Sequence, residues 1–350
     1  MVVNVRAPIN LTSIAAPHLV KTKALELAKH GVRVNTISPG PVKTDLMDNA
    51  GIGHVKFDDM AKTLPLQRVS EAGEIADLIA FLASDRAVVC VCIAVSVQVN
   101  MSFKNKVVIV TGASSGIGAA TALKFSKEGA AVVMVARDEA KLKAVKKKCD
   151  AEGWPAFIIK ADLSEEEEVE SVIEKTVNEF GKIDILINNA GILRCGSIVD
   201  GSILETYDEV MNTNIRGVVL LTTYAMPHLI KSSGNIVNIS TIGGERVICS
   251  EYNAYCVSKA ALTHFTRAAA MELREHGVRV STVSPGIVRT DLLKNAGIND
   301  DNDDNFIFKT VMNKWTEPEE IAELILFVAS DKAKSITGSN FVSDNGNLLI

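Results

Sequence analysis

From residue 107 onward, short apolar runs rich in β-branched residues alternate with longer stretches whose apolar positions recur every three or four residues. The runs VVIVT (107–111), AVVMVA (131–136), AFIIKA (156–161), IDILIN (183–188), GNIVNIS (234–240), VRVSTVS (278–284) and SNFVS (339–343) have the length and composition of strands. Helical periodicity fills about 117–128, 138–152, 165–180, 203–231, 254–275 and 318–330. Seven strands separated by helices predict an α/β protein with a doubly wound parallel sheet, and such sheets bind ligands at the carboxyl ends of their strands.

The first hundred residues repeat part of this pattern. HGVRVNTISPGPVKTDLMDNAGI (30–52) and HGVRVSTVSPGIVRTDLLKNAGI (276–298) share 17 of 23 positions, and IADLIAFLASD (75–85) matches IAELILFVASD (321–331) at the same offset of 246. Residues 4–20 match 214–230 at an offset of 210, so the first copy lacks a counterpart of 231–266, and of 101–210 as well. We therefore expect a truncated fragment in 1–100, retaining one strand (32–38) and a later helix (72–84), ahead of a complete unit in 101–350. Met101 opens MSFKNKVVIVTG, a natural start for a free-standing protein, so a gene fusion or two tandem copies joined in one gene reading both account for the arrangement.

Composition adds little to this picture. The chain of 350 residues is 47% hydrophobic and 23% charged, as expected of a globular protein with a sizeable core. Its net charge is −5, and residues 1–100 hold 10 basic against 9 acidic residues, so the negative charge lies beyond residue 100. No basic stripe points to nucleic acid or an anionic membrane. The six cysteines have neither disulfide-framework nor zinc spacing, and none of the six histidines pairs with a neighbouring His or Cys as metal ligands do. Reduced thiols in a cytoplasmic setting are the expectation. The start MVVNVRAPIN has no signal-peptide pattern, and AVVCVCIAVSVQV (87–99) falls short of the ~20 apolar residues a spanning helix needs.

Chemistry concentrates at the predicted strand ends. After the first strand, TGASSGIGAA places Gly112, Gly116 and Gly118 between strand and helix, where glycine permits a tight turn and lets a pyrophosphate approach backbone amides. The spacing differs from the common Rossmann Gly-x-Gly-x-x-Gly. Together with ADL (161–163), NNAG (188–191), Asn214, YCVSK (255–259) and SPGIVRT (284–290), all in order, it resembles the short-chain dehydrogenase/reductase family, in its single-domain, 3-oxoacyl reductase-like branch of ~250-residue enzymes. The resemblance covers 105–346 and implies a Rossmann-like fold. It also implies cofactor contacts from Gly112, Ser114, Ser115, Gly116, Ile117, Gly118, Asp162 (at the adenine ring), Leu163, Asn189, Ala190 and Gly191. The segment Pro285, Gly286, Ile287, Val288 and Thr290 is expected to close over the nicotinamide.

Where the second strand ends, an acidic residue would grip the ribose 2′-OH of NAD. Here Ala136 and Arg137 stand there instead, leaving room for a 2′-phosphate and supplying a planar cation. NADP(H) is therefore expected, with NAD(H) as the alternative; Asp138 reads as a helix cap.

Tyr255 and Lys259 are four apart in a helical stretch, so their side chains share a face. A phenol is a poor base at neutral pH, and a nearby ammonium with an oxidised nicotinamide would lower its pKa so that it can exchange a proton with the substrate oxygen. The resemblance adds Asn214, thought to hold a relay water, and a polarising serine thirteen residues before the tyrosine. That position is Ile242 in this chain. Thr241 takes the role if the alignment runs from the strand, and Ser240 is the fallback.

These readings predict an oxidoreductase interconverting a carbonyl and a secondary alcohol on a small-molecule substrate. The alternative is an inactive nucleotide-binding relative. The substrate pocket is expected between Ile192–Gly196, the 241–252 loop and 287–315, where NDDNDDNF (299–306) reads as an acidic lid. Oxoacyl thioesters, steroids and xenobiotic carbonyls all remain open as substrates. By resemblance, a dimer or tetramer is expected through helices 203–231 and 254–275. The leading helix of the fragment, a splice of those two, is a candidate competitor for that surface. Without its glycine turn, NNAG and Tyr/Lys pair, the fragment, which keeps Asn4 and SPGPVKT (38–44), is expected to be chemically inert.

Overall fold

The computed structural model describes residues 101–151, 156–298 and 310–349, the leading segments 39–44 and 68–84, and isolated positions between 37 and 66. The expected strand at 32–38, Asn4 with the leading helix, the run 87–99 and the acidic stretch 299–306 lie outside the described residues.

In the later unit, the strands are β1 (Val107–Thr111), β2 (Ala131–Ala136), β3 (Ala156–Lys160), β4 (Ile185–Asn188), β5 (Asn235–Ile239), β6 (Arg279–Pro285) and β7 (Asn340–Ser343). The helices are α1 (Gly116–Lys127), α2 (Glu139–Asp150), α3 (Glu166–Phe180), α4 (Ile203–Met211), α5 (Gly217–Ser232), α6 (Asn253–Glu272), α7 (Leu292–Asn295) and α8 (Pro318–Ala329). All seven expected strands form, shifted by no more than two residues at their ends.

The strands form one sheet in the order β3-β2-β1-β4-β5-β6-β7, every pairing parallel. Parallel strands need crossovers, and the helices that supply them cover both faces. The pleat sorts the side chains. Val108 and Val110 of β1 join one core with Phe125 and α8, while Val107 and Ile109 join the other with Val169, Leu186 and Leu221. Between β1 and β4 the strand order reverses, which opens a crevice at their carboxyl ends.

One expected helix is not regular. The 203–231 stretch is broken by a π-turn at Asn212–Arg216, between α4 and α5. Asn214 sits in that turn, wholly buried.

Ahead of this unit, Val42–Lys43 pairs in parallel with Ser70–Glu71, and a helix spans Ala72–Ala83. That helix lies on α8, where Phe81 stacks on Phe327 with ring centroids 4.0 Å apart and planes 11° from parallel. Asp77 pairs with Lys332 at 3.0 Å, and Phe81 is fully buried.

Candidate active site

A cavity of about 570 Å³ opens at the carboxyl ends of the strands. Its floor is the turn after β1. Gly112 and Gly116 adopt φ of 64° and 52°, a region that costs a side-chain-bearing residue free energy. Gly118 is required for a different reason, since a Cβ there would stand 2.2 Å from the Gly112 carbonyl oxygen and 2.5 Å from Asn189 Nδ2. The N-terminus of α1 has no side-chain cap and no acidic residue in its first turn. Its unshared amide groups and dipole therefore favour an anion at Ser114–Gly116, which line the cavity.

NNAG follows β4 and locks the floor to the sheet. Asn189 Nδ2 donates to the Thr111 carbonyl at 2.8 Å, and the amides of Asn189 and Ala190 both donate to Thr111 Oγ1, at 2.9 and 3.0 Å. Asn188 Nδ2 bridges to Asn238 Oδ1 at 2.8 Å, bracing β4 against β5.

At one end of the cavity Arg137 and Lys141 stand over the carboxyl end of β2. Arg137 is more than half exposed and lies 3.6 Å from Asp162, whose carboxyl takes hydrogen bonds from the Ser164 amide and hydroxyl at 3.0 and 2.8 Å. Partial burial opposes ionisation of Asp162, but those bonds and Arg137 outweigh it and hold its pKa below the ordinary value. Asp138 caps α2 by accepting from the Lys141 amide at 3.0 Å, as expected. Lys141 was not foreseen. It follows Arg137 by one helical turn, a spacing that would have shown it, and it pairs with Asp291 across the mouth at 3.5 Å.

At the other end α6 presents Tyr255 and Lys259, both buried and both lining the cavity. Lys259 Nζ donates to the Ile239 carbonyl at 2.7 Å and lies 5.9 Å from the Tyr255 ring centroid. Burial lowers its pKa to about 8. The tyrosine differs from the sequence expectation. Burial pushes its phenol above the ordinary range and the Cys256 thiol adds to this, while a hydrogen bond with Thr241 opposes them. The protein alone thus holds Tyr255 as a neutral proton donor. The ammonium expected to acidify it is turned towards the Ile239 carbonyl.

The hydroxyl pair resolves by geometry. Ser240 Oγ donates to the Lys259 carbonyl at 2.9 Å and meets Thr263 Oγ1 at 2.9 Å, so it ties β5 to α6. Thr241 is the hydroxyl that reaches the phenol. Its Oγ1 also lies 3.3 Å from the Pro285 carbonyl.

Asn214 and Gly118 are the two expected residues that do not line the cavity. Asn214 accepts from the Ile192 amide at 2.8 Å and donates to the Ile192 carbonyl at 3.0 Å and Ser258 Oγ at 3.0 Å. It supports the wall behind Gly191, where a Cβ would stand 3.3 Å from its Oδ1 and 3.2 Å from Lys259 Nζ. Leu163, Ile117, Pro285, Gly286, Ile287, Val288 and Thr290 complete the lining as expected, and Thr290 packs over Gly116.

Beyond Tyr255 the wall is apolar. Leu193, Ile248, Tyr252, Leu292 and Leu293 cluster there, within the boundaries expected for the substrate. Asn347, from the C-terminal 3₁₀ turn, also reaches the cavity, and nothing in its local sequence signals this.

A doubly wound parallel sheet with this glycine turn and a Tyr/Lys helix defines a class of α/β protein that several comparisons bear out. The family profile described as enoyl-(acyl carrier protein) reductase matches residues 2–98 and 112–347. Meso-2,3-butanediol dehydrogenase of Serratia marcescens is 36% identical over 246 residues, covering 70% of this chain and 95% of its own. A 3-oxoacyl-acyl-carrier-protein reductase FabG of Thermotoga maritima is 34% identical over 249 residues, covering 70% and 99%. Among solved structures, a short-chain dehydrogenase from Burkholderia cenocepacia J2315 in complex with NADP is 32% identical, with a TM-score of 0.65 over 70% of this chain and 99% of that one. The chain belongs to the short-chain dehydrogenase/reductase family, and it is an NAD(P)-dependent oxidoreductase acting between CH–OH and carbonyl groups. Among the described residues no helix is long and apolar enough to cross a membrane.

Proposed function

We propose that residues 101–350 form an NADP(H)-dependent oxidoreductase that interconverts an uncharged carbonyl compound and its secondary alcohol. The observation that carries this reading is that one cavity holds the glycine turn, the Arg137/Lys141 end and the Thr241–Tyr255–Lys259 group in sequence along its length. The residues fit a dinucleotide: the α1 amides and Gly112–Gly116 suit its pyrophosphate, Asp162 its adenine, and Arg137 with Lys141 a 2′-phosphate. When bound, the nicotinamide supplies or accepts the hydride. Thr241 holds the substrate oxygen by a hydrogen bond, and Tyr255 delivers its proton to that oxygen during reduction. Lys259 charges the site near the phenol, and Asn214 with Ser240 fixes the walls on which these groups stand.

The substrate end favours an uncharged, apolar molecule. Arg194 reaches it, but its guanidinium is held by Glu209 in a two-point ion pair at 2.9 and 2.7 Å, and it also donates to the Leu193 carbonyl. A substrate carboxylate would have to break that pair. The similarity to a butanediol dehydrogenase and to oxoacyl reductases supports the reaction type.

The leading segment reads as a truncated second copy of the same unit, lacking the cofactor turn and the Tyr/Lys pair. Self-association of the later unit through 203–231 and 254–275 is supported by Leu204, Tyr207, Val219, Val257 and Met271, all apolar and exposed on those helices. Initial rates with NADPH and NADH across a panel of neutral ketones and keto acids test the reading. Faster turnover of neutral ketones with NADPH is expected, and equal or greater rates with NADH and keto acids would contradict it.

A further inference from the structure

Helix α8 has more apolar surface than one contact can cover. Eight of its twelve residues, Ile321, Ala322 and the run from Leu324 to Ala329, are buried. Six consecutive apolar residues point in every direction around a helix, so this helix needs cover on two sides. One side packs on α1, β5 and β6. The other, at Phe327, is covered by the leading helix Ala72–Ala83.

Those two helices occupy equivalent positions in the repeat, at the offset of 246, and their local structure agrees in detail. Each begins with a capping box, Glu71 with Glu74 and Glu317 with Glu320. Each ends with a serine hydroxyl on a phenylalanine carbonyl, Ser84 on Phe81 and Ser330 on Phe327, both at 2.7 Å. The strand contacts ahead of them agree as well, Val42 with Ser70 and Val288 with Thr316. So do the ion pairs Lys43–Glu71 at 2.6 Å and Arg289–Glu317 at 3.1 Å.

Phe81 is therefore the counterpart of Phe327, and it is on Phe327 that its ring stacks. A residue in contact with its own counterpart is what an interface between two identical surfaces has at its two-fold axis. We propose that the Phe327 face of α8 is a self-association surface whose natural partner is a second copy of this chain. The leading helix is its intrachain cap, docked where the second copy's α8 would dock. This rests on reading residues 39–84 as a repeat of 285–330, not on the catalytic assignment. A tether between Ser84 and Met101 gives the cap a millimolar-scale effective concentration, which outcompetes a second chain at micromolar concentration.

The test uses the full chain and reads mass, not turnover. Phe81→Asp places a charge in the stack, and Phe81→Leu retains an apolar contact. Light scattering after size exclusion gives the mass, hydrogen exchange of 68–84 reports whether the cap is docked, and the melting transition checks that the later unit is folded. We expect Phe81→Asp to lose protection over 68–84 and to double its mass at micromolar concentration, with wild type and Phe81→Leu unchanged. A released cap without a change in mass overturns the proposal. So does a cap that stays protected in Phe81→Asp, or open-ended aggregation instead of a discrete doubling.

Discussion

Tyr255 and Lys259 carry opposite charge preferences into one buried wall. Burial disfavours the phenolate and the ammonium alike, raising the tyrosine pKa and lowering that of the lysine to about 8. Between about pH 8 and the ordinary lysine value of 10.5, the unfolded chain binds a proton at Lys259 that the folded one has released. Stability from this group therefore rises with pH across that window, and Lys259→Met should flatten the rise in a series of thermal melts. Above 10, Tyr255 acts in the opposite sense, since the folded chain keeps a proton the unfolded one loses, and stability falls. In catalysis the same lysine predicts that kcat/KM for reduction declines above about pH 8, as its cationic form is lost. The two hydroxyls should separate by variant. Thr241→Ala is expected to lower kcat about a hundredfold, while Thr241→Ser retains most activity. Ser240→Ala should cost about 1 kcal/mol of stability, measured in denaturant, with a much smaller effect on kcat. Arg137→Ala should cut the NADPH-over-NADH preference in kcat/KM about tenfold, through lost charge-assisted hydrogen bonds.

At the scale of elements, the turn after β1 was readable because glycine is the only residue for its backbone, and the order TGASSGIG–NNAG–YCVSK ties three strand ends to one crevice. Gly118→Ala should therefore destabilise the fold by about 1–3 kcal/mol and remove the thermal shift given by NADPH. The π-turn at Asn212–Arg216 was not readable. Its cause is the amide of Asn214, whose partners at Ile192 and Ser258 lie 22 and 44 residues away, beyond any local pattern. The choice between Ser240 and Thr241 was hidden for the same reason. Both hydroxyls follow the same strand, and only the positions of Thr263 and Tyr255 on α6 distinguish them. The phenol's raised pKa also depends on packing, since the Tyr-x-x-x-Lys spacing sets direction but not where the ammonium's hydrogen bond goes.

For the whole molecule, alternating strand and helix patterns were enough to place a seven-stranded parallel sheet, because each strand's apolar run is covered locally by the helices on either side of it. The docking of the leading helix was not legible. Its key contact joins Phe81 to a residue 246 positions later, and a repeat in sequence does not say that the copies touch. The cavity, by contrast, belongs wholly to residues 112–347. The account stands or falls on Tyr255 as the proton donor at its centre. NADPH oxidation with a ketone substrate, compared between wild type and Tyr255→Phe, tests this most directly, with NADPH binding checked by thermal shift. The account predicts a fall in kcat of about 10²–10⁴-fold with binding retained; equal rates in the two proteins would contradict it.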